Sequence, residues 1–182
     1  MSRSYLEAPP LSLARIEFIA WRFREVVGAT SDEWLDVERI LEHGLSLMFG
    51  EEAHFEVMEK GFMGSDHARA DPEAKHLMIR EDVYDGLCAN KPRDRMTIIH
   101  EFAHLILHGR LRLARRMSNA PPPAYCDPEW QAKAFAGAVM VPRQMVPDPW
   151  VVDASFIAQE FGVSHDAAAV RLTQLRTGGA RK

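Results

Sequence analysis

The stretch that decides the fold is Arg93-Asp94-Arg95-Met96-Thr97-Ile98-Ile99-His100-Glu101-Phe102-Ala103-His104-Leu105-Ile106-Leu107-His108, closed by Gly109. Pro92 and Asp94 suit the first turn of a helix: proline has no N–H to lose there, and an acid meets the positive end of the dipole. The pattern predicts a helix from about Pro92 to His108. Positions four apart on a helix share a face, so His100 and His104 can turn ring nitrogens toward a single ion. Glu101 is rotated about 100° from His100, away from that plane but within reach of a water held there. Ile98, Phe102 and Leu105 take another side and seat the helix in a core. Histidines at this spacing with an adjacent glutamate form an HExxH motif. Zinc with three protein ligands and one open position suits it and lowers the pKa of bound water to about 7. Glu101 is then the catalytic base, taking that water's proton and passing it to the leaving amine.

The third ligand lies outside the motif. A metzincin needs glycine at 107 and histidine at 110, where this chain has Leu107 and Arg110, so that class is excluded. His108 continues the stripe, but two helical turns put it about 12 Å from His100, too far to share one ion. It is expected behind the ligands or at the helix end. Glu129 is the better candidate, at the start of a helix from about Pro128 to Met140 that Pro142 closes; Ala132 and Ala136 on its face let two helices approach closely. Asp127 is the next choice, against a capping role in the first turn. Tyr125 is a candidate donor to a developing oxyanion. Cys126 lies near Glu129 in sequence and carries no assigned role.

Farther out, Leu13, Ile16, Ile19 and Phe23 predict an amphipathic helix over 11–27, stopped by Gly28. Thr30, Ser31 and Asp32 offer an N-cap to a second helix carrying Trp34, Leu35, Val37, Ile40, Leu41 and Leu45. Residues 1–10 read as a loose lead-in. Short runs at Phe55–Met58, His67–Ala70 and His76–Arg80 predict a three-stranded antiparallel sheet, with His76–Arg80 offering its edge to an extended peptide. Residues 153–176 predict two short helices joined at Gly162, with 155–174 resembling the turn of a helix-turn-helix unit, and the tail from Thr177 reads as mobile.

The 182 residues carry a formal net charge of −4, eight histidines and two cysteines. No run of eighteen apolar residues exists, which excludes a transmembrane helix. Glu7, Pro9 and Pro10 interrupt any signal-peptide core, and two cysteines cannot build a disulfide framework, so a cytoplasmic location is expected. The charge argues against binding nucleic acid over the whole surface. Arg110, Arg112, Arg115 and Arg116 form a basic cluster read first as solvated surface, with docking of an acidic partner or nucleic acid as the alternative. Within 155–174 Arg171 is the one basic residue, balanced by Glu160 and Asp166, so direct binding of nucleic acid there is not expected.

Arg93 to His108, together with Glu129-Trp130-Gln131-Ala132-Lys133-Ala134-Phe135-Ala136-Gly137-Ala138-Val139-Met140-Val141-Pro142, resembles the ImmA/IrrE-type zinc metallopeptidases of bacteria and their mobile elements. The second stretch follows that family's ExxAxxFAxxLxxP pattern. Ile79 to Gly86 and Phe161-Gly162-Val163-Ser164 extend the resemblance over roughly 50–176. Lys133 and Gln131 depart from the residues often seen at those positions, outside the metal-binding set.

The resemblance implies a zincin-like α+β fold, with helices around the small sheet and a C-terminal helical element. The chain as a whole is expected to hold N-terminal helices over 1–50, a peptidase core over 51–150 and the helical element over 151–182, all in one structural domain. His100, His104 and Glu129 would bind Zn2+, for which manganese or another divalent ion can compete, and Glu101 would be the base. The implied substrate is a protein: an XRE-type helix-turn-helix repressor or an antitoxin, cleaved to relieve repression. Two rival functions are a zinc-containing regulator that sequesters its repressor without cutting it, and a DNA-binding regulator acting through 153–176.

Overall fold

The computed structural model describes residues 3–109, 114–118 and 120–178. Its core is a stack of three helices. In α1 (Leu13–Val26) Ser12 caps the N-terminus by accepting from the Arg15 N–H at 3.2 Å. The other two are α6 (Pro92–Ala103) and α7 (Pro128–Met140), and α7 packs against both α1 and α6. Phe23 of α1 joins the three, meeting Phe102 of α6 and Phe135 of α7 edge to face with ring centres 5.8 and 5.7 Å apart. Ile98, Phe102 and Leu105 are buried as their spacing predicts, and so are Ala132 and Ala136.

Beside this stack lies a sheet of β2 (His54–Met58), β3 (Ala68–Asp71) and β4 (His76–Arg80), in the order β2-β4-β3. β3 pairs antiparallel with β4, whereas β2 runs parallel to it. The sheet is therefore mixed, and the expectation of a wholly antiparallel one is corrected. Apolar alternation reports which face of a strand is buried but not its direction, and here β2 reaches β4 only after the chain has passed through α4 (Lys60–Met63) and β3. β4 is also central, so the expected edge strand is the wrong one. The edge beside the motif helix is β3. β4 leads directly into α5 (Glu81–Cys88).

Two further expectations are revised. The second helix starts later than Thr30–Asp32 would place it: Asp36 is the cap, accepting from Arg39 N–H at 3.0 Å. From there α2 (Val37–Arg39) passes through a π-helical turn (Ile40–Gly44) into α3 (Leu45–Phe49). The lead-in is not loose. β1 (Arg3–Glu7) pairs antiparallel with β5 (Ala114–Ser118), and the Ala8 and Leu11 N–H groups donate to the carbonyls of Cys126 and Tyr125 at 2.9 Å. Arg115 and Arg116 of the basic cluster thus lie on a paired strand, while Arg110 and Arg112 fall outside the described residues, as does the tail beyond Gly178.

The C-terminal element is α8 (Ala154–Phe161) and α9 (His165–Gly178), joined at Gly162 as expected. Gly162 has φ +61°, and a Cβ there would come within 2.4 Å of Arg95 and 2.6 Å of the Trp34 ring, so only glycine fits. Ile157, Phe161, Ala168, Leu172 and Leu175 turn into the core. Arg171 is 1% exposed, donating to the Val141 carbonyl at 2.9 Å and to Glu17 at 2.8 Å. A cation spent inward is not free to contact a phosphate. Among the described residues no helix is long and apolar enough to cross a membrane.

Candidate metal centre

The end of α6 does not remain an α-helix. His104–His108 winds as a π-helical turn, a local widening that is frequent at functional sites. α7 begins opposite it. Pro128 holds its first position and Asp127 caps it, accepting from the Glu129 N–H at 2.9 Å. Asp127 is thereby placed as the cap, and Glu129 is left free to face the histidines.

His100, His104 and Glu129 converge. His104 Nε2 lies 3.2 Å from His100 Nε2, and the two Glu129 oxygens lie 3.4 Å from His100 Nε2 and His104 Nε2. A tetrahedral ion with arms of about 2.0–2.1 Å spaces its ligand atoms about 3.3–3.4 Å apart, close to the separation of the two imidazole nitrogens and of each from its nearer Glu129 oxygen. The protonation states agree. Burial, reinforced by His100, lowers the His104 pKa to about 4 and leaves its ring neutral near neutral pH. The hydrogen bond to His100 holds the Glu129 carboxyl well below the usual range, against the opposing effect of burial.

His108 and Gln131 sit behind the ligands. His108 Nε2 is 3.0 Å from Gln131 Oε1, and its Nδ1 is 3.1 Å from His104 Nδ1. Gln131 donates through Nε2 to the carbonyls of Pro9 and Tyr125 at 2.8 Å, which fixes its oxygen toward His108. An acceptor there requires a proton on His108 Nε2, leaving Nδ1 as a lone pair. His104 must then donate from Nδ1 and present the lone pair of Nε2 to the triangle. The chain Gln131–His108–His104 selects the ligating tautomer, which is the usual task of groups behind a metal's histidines. His108 stands where its helical position suggested; Gln131 is legible in the sequence only as a departure from the family pattern, although a polar residue on the apolar face of α7 is a signal of such a role.

Glu101 is positioned by a backbone group that no sequence motif reveals. Its Oε2 accepts the N–H of Ala70, on edge strand β3, at 2.8 Å. Arg80 N–H donates to the His67 carbonyl, so by alternation Ala68 and Ala70 turn their backbone groups away from β4, toward α6. Burial raises the Glu101 pKa to about 7, against the opposing pull of His100 and the Ala70 N–H. A carboxylate at that value can both take and return a proton near neutral pH. Tyr125 is half exposed and lines a groove with Pro10, Leu11 and Trp130; none of His100, His104 and Glu129 lines it. Cys126 is buried and unpaired as a thiol.

The model of the IrrE N-terminal-like domain (Peptidase_M78) matches residues 55–173, a span from β2 to α9 that contains every residue of the triangle. No curated protein matches the chain significantly.

Proposed function

The chain belongs to the IrrE N-terminal-like metallopeptidase family, and on that premise we propose that it is a zinc-dependent endopeptidase. Its substrate is a regulatory protein, an XRE-type helix-turn-helix repressor or an antitoxin, and cleavage relieves repression. The observation that carries the reading is the triangle of His100, His104 and Glu129 with a separate, partly buried carboxylate at Glu101 beside it. A site that only held an ion would have no use for that fourth group.

A bound divalent ion would supply Lewis acidity and an activated water at the open position. His100 and His104 would hold it through Nε2, with His104 fixed by His108 and Gln131, and Glu129 would contribute the anionic ligand. Glu101, aimed by the Ala70 N–H, takes the proton of the attacking water and delivers it to the departing amine nitrogen. An extended substrate lies along the outer edge of β3, where the backbone groups of Ala68 and the Ala70 carbonyl face outward while the Ala70 N–H is held by Glu101.

The test is incubation of the metal-loaded protein with the repressor encoded beside it, with and without chelator. Discrete fragments that vanish with chelator and with Glu101→Gln are expected. A stable complex without fragments would replace this reading with sequestration.

A further inference from the structure

His67, immediately before β3, contacts an arginine at each ring nitrogen. Nδ1 lies 2.7 Å from Arg80 Nη2, and Nε2 lies 2.7 Å from Arg93 Nη2. A guanidinium only donates, and a neutral imidazole has one lone pair. The buried Arg80 is fixed: it donates to both oxygens of Asp82, at 2.5 and 3.1 Å, and to the carbonyls of Gly64 and Asp66. His67 Nδ1 must therefore be its acceptor, and the ring proton sits on Nε2. That proton and the Arg93 guanidinium are two donors converging with no acceptor between them. Two nearby acids face other arginines: Asp82 pairs with Arg80, and Asp66 lies 3.9 Å from Arg69.

We infer that His67 and Arg93 form an oxyanion site that accepts a carboxylate side chain of the bound polypeptide. This rests on the reading of β3 as the substrate strand, and it adds a specificity element to that cleft. Two rulers place it. His67 is three residues before Ala70, about 10 Å along a strand. Arg93 is eight residues before Glu101, about 12 Å along a helix, and Arg93, Thr97 and Glu101 form one stripe on α6. A chain extended between β3 and α6 therefore brings the side chain about three residues from the scissile bond to His67 and Arg93, on one side of that bond only. The Arg93 guanidinium and the His67 Nε2–H then converge on one carboxylate, a charge-assisted arrangement.

Glu101→Gln protein, loaded with Zn2+ so that no turnover intervenes, is titrated with two apolar decapeptides. One carries Asp three residues from its centre and the other Asn; the pair is made for each side of the centre. For one side only, the Asp peptide should bind about tenfold more tightly than the Asn peptide, with a saturable shift of the His67 ring signals, and adding Arg93→Ala should erase the difference. Equal affinities, or a preference that survives Arg93→Ala, overturn the inference. Sodium phosphate and sodium acetate serve as a second arm that needs no substrate strand. If neither peptide binds but either salt saturably shifts His67 in an Arg93-dependent way, the anion site stands and the substrate assignment falls. If no probe shifts His67, the site itself is refuted.

Discussion

The two ends of α7 solve opposite problems with the same kind of group. At its C-terminal end, buried cations meet carbonyls: Arg24 donates to Val139 O at 2.8 Å and to Asp32 O, while Arg171 donates to Val141 O and to Glu17. Each guanidinium sits at the negative end of the helix dipole, where cations are favoured. At the N-terminal end, His100, His104 and Glu129 are only partly covered, and three lone-pair donors face one another. Lone pairs 3.2–3.4 Å apart repel unless a proton or a cation lies between them. One end is closed by the protein's own charges. The other is built to be closed by an ion. Polar burial by itself thus does not mark a functional site; the sign of what is missing does.

The sharpest break of the comparison comes from the open end. Glu101→Gln should lower peptide hydrolysis by about 10²–10⁴-fold, the usual contribution of a positioned general base. Metal content by elemental analysis should be unchanged, because Glu101 bonds Ala70 rather than the triangle. Glu129→Ala should instead empty the site of metal. If Glu101→Gln also loses metal, the two carboxylates do not divide the work as their geometry indicates.

The closed end should respond in stability alone. Arg24→Met leaves the carbonyls of Val139 and Asp32 without their donor and should cost about 2–3 kcal/mol, since hydrogen bonds to a charged group are among the stronger ones. For a chain of this size that is a fall in melting temperature of about 5–10 °C in the metal-free protein. Metal affinity of the folded fraction, read by competition with a chelating dye, should stay within about twofold, below the losses typical of groups that contact the ligands. A larger loss would show that the two ends of α7 are mechanically coupled.

Gln131 lies between these extremes, being fully buried like the arginines yet pointing at the ligands. Gln131→Leu frees His108 to place its proton on either nitrogen and should weaken metal binding by about 10–100-fold. His104 ring NMR in the metal-free protein should then show a mixture of tautomers, which a mere packing defect would not produce.

Much of this was readable from the residues, for local reasons. Pro92, Asp94 and Gly109 bound the motif helix, and Pro128 with Pro142 bounds α7, because caps and breakers act on their own neighbours. Glu129 could be placed because it falls in a first turn. The pairing of β1 with β5 could not, since Ala114–Ser118 has no apolar alternation and its partner lies over a hundred residues away. The direction of β2 is likewise a property of the path between strands. The hold on Glu101 was invisible for a different reason: its donor is a backbone N–H, which every residue but proline carries.

Asp127 gives the smallest predicted effect and the finest test of the open end. It lies two residues from Glu129 and could substitute for it as a carboxylate ligand, yet its Oδ1 is occupied by the Glu129 N–H. Loss of an Asp cap costs about 1 kcal/mol, so Asp127→Ala should lower stability by that amount in chemical denaturation while zinc content stays full. Asp127→Asn, which can still accept the N–H, should restore most of the loss. Ligation predicts the reverse: the Asn variant would keep the fold and lose the metal, because a neutral amide is a poor replacement for an anionic ligand. Between the two carboxylates at the start of α7, the backbone N–H has already chosen which one caps and which one faces the histidines.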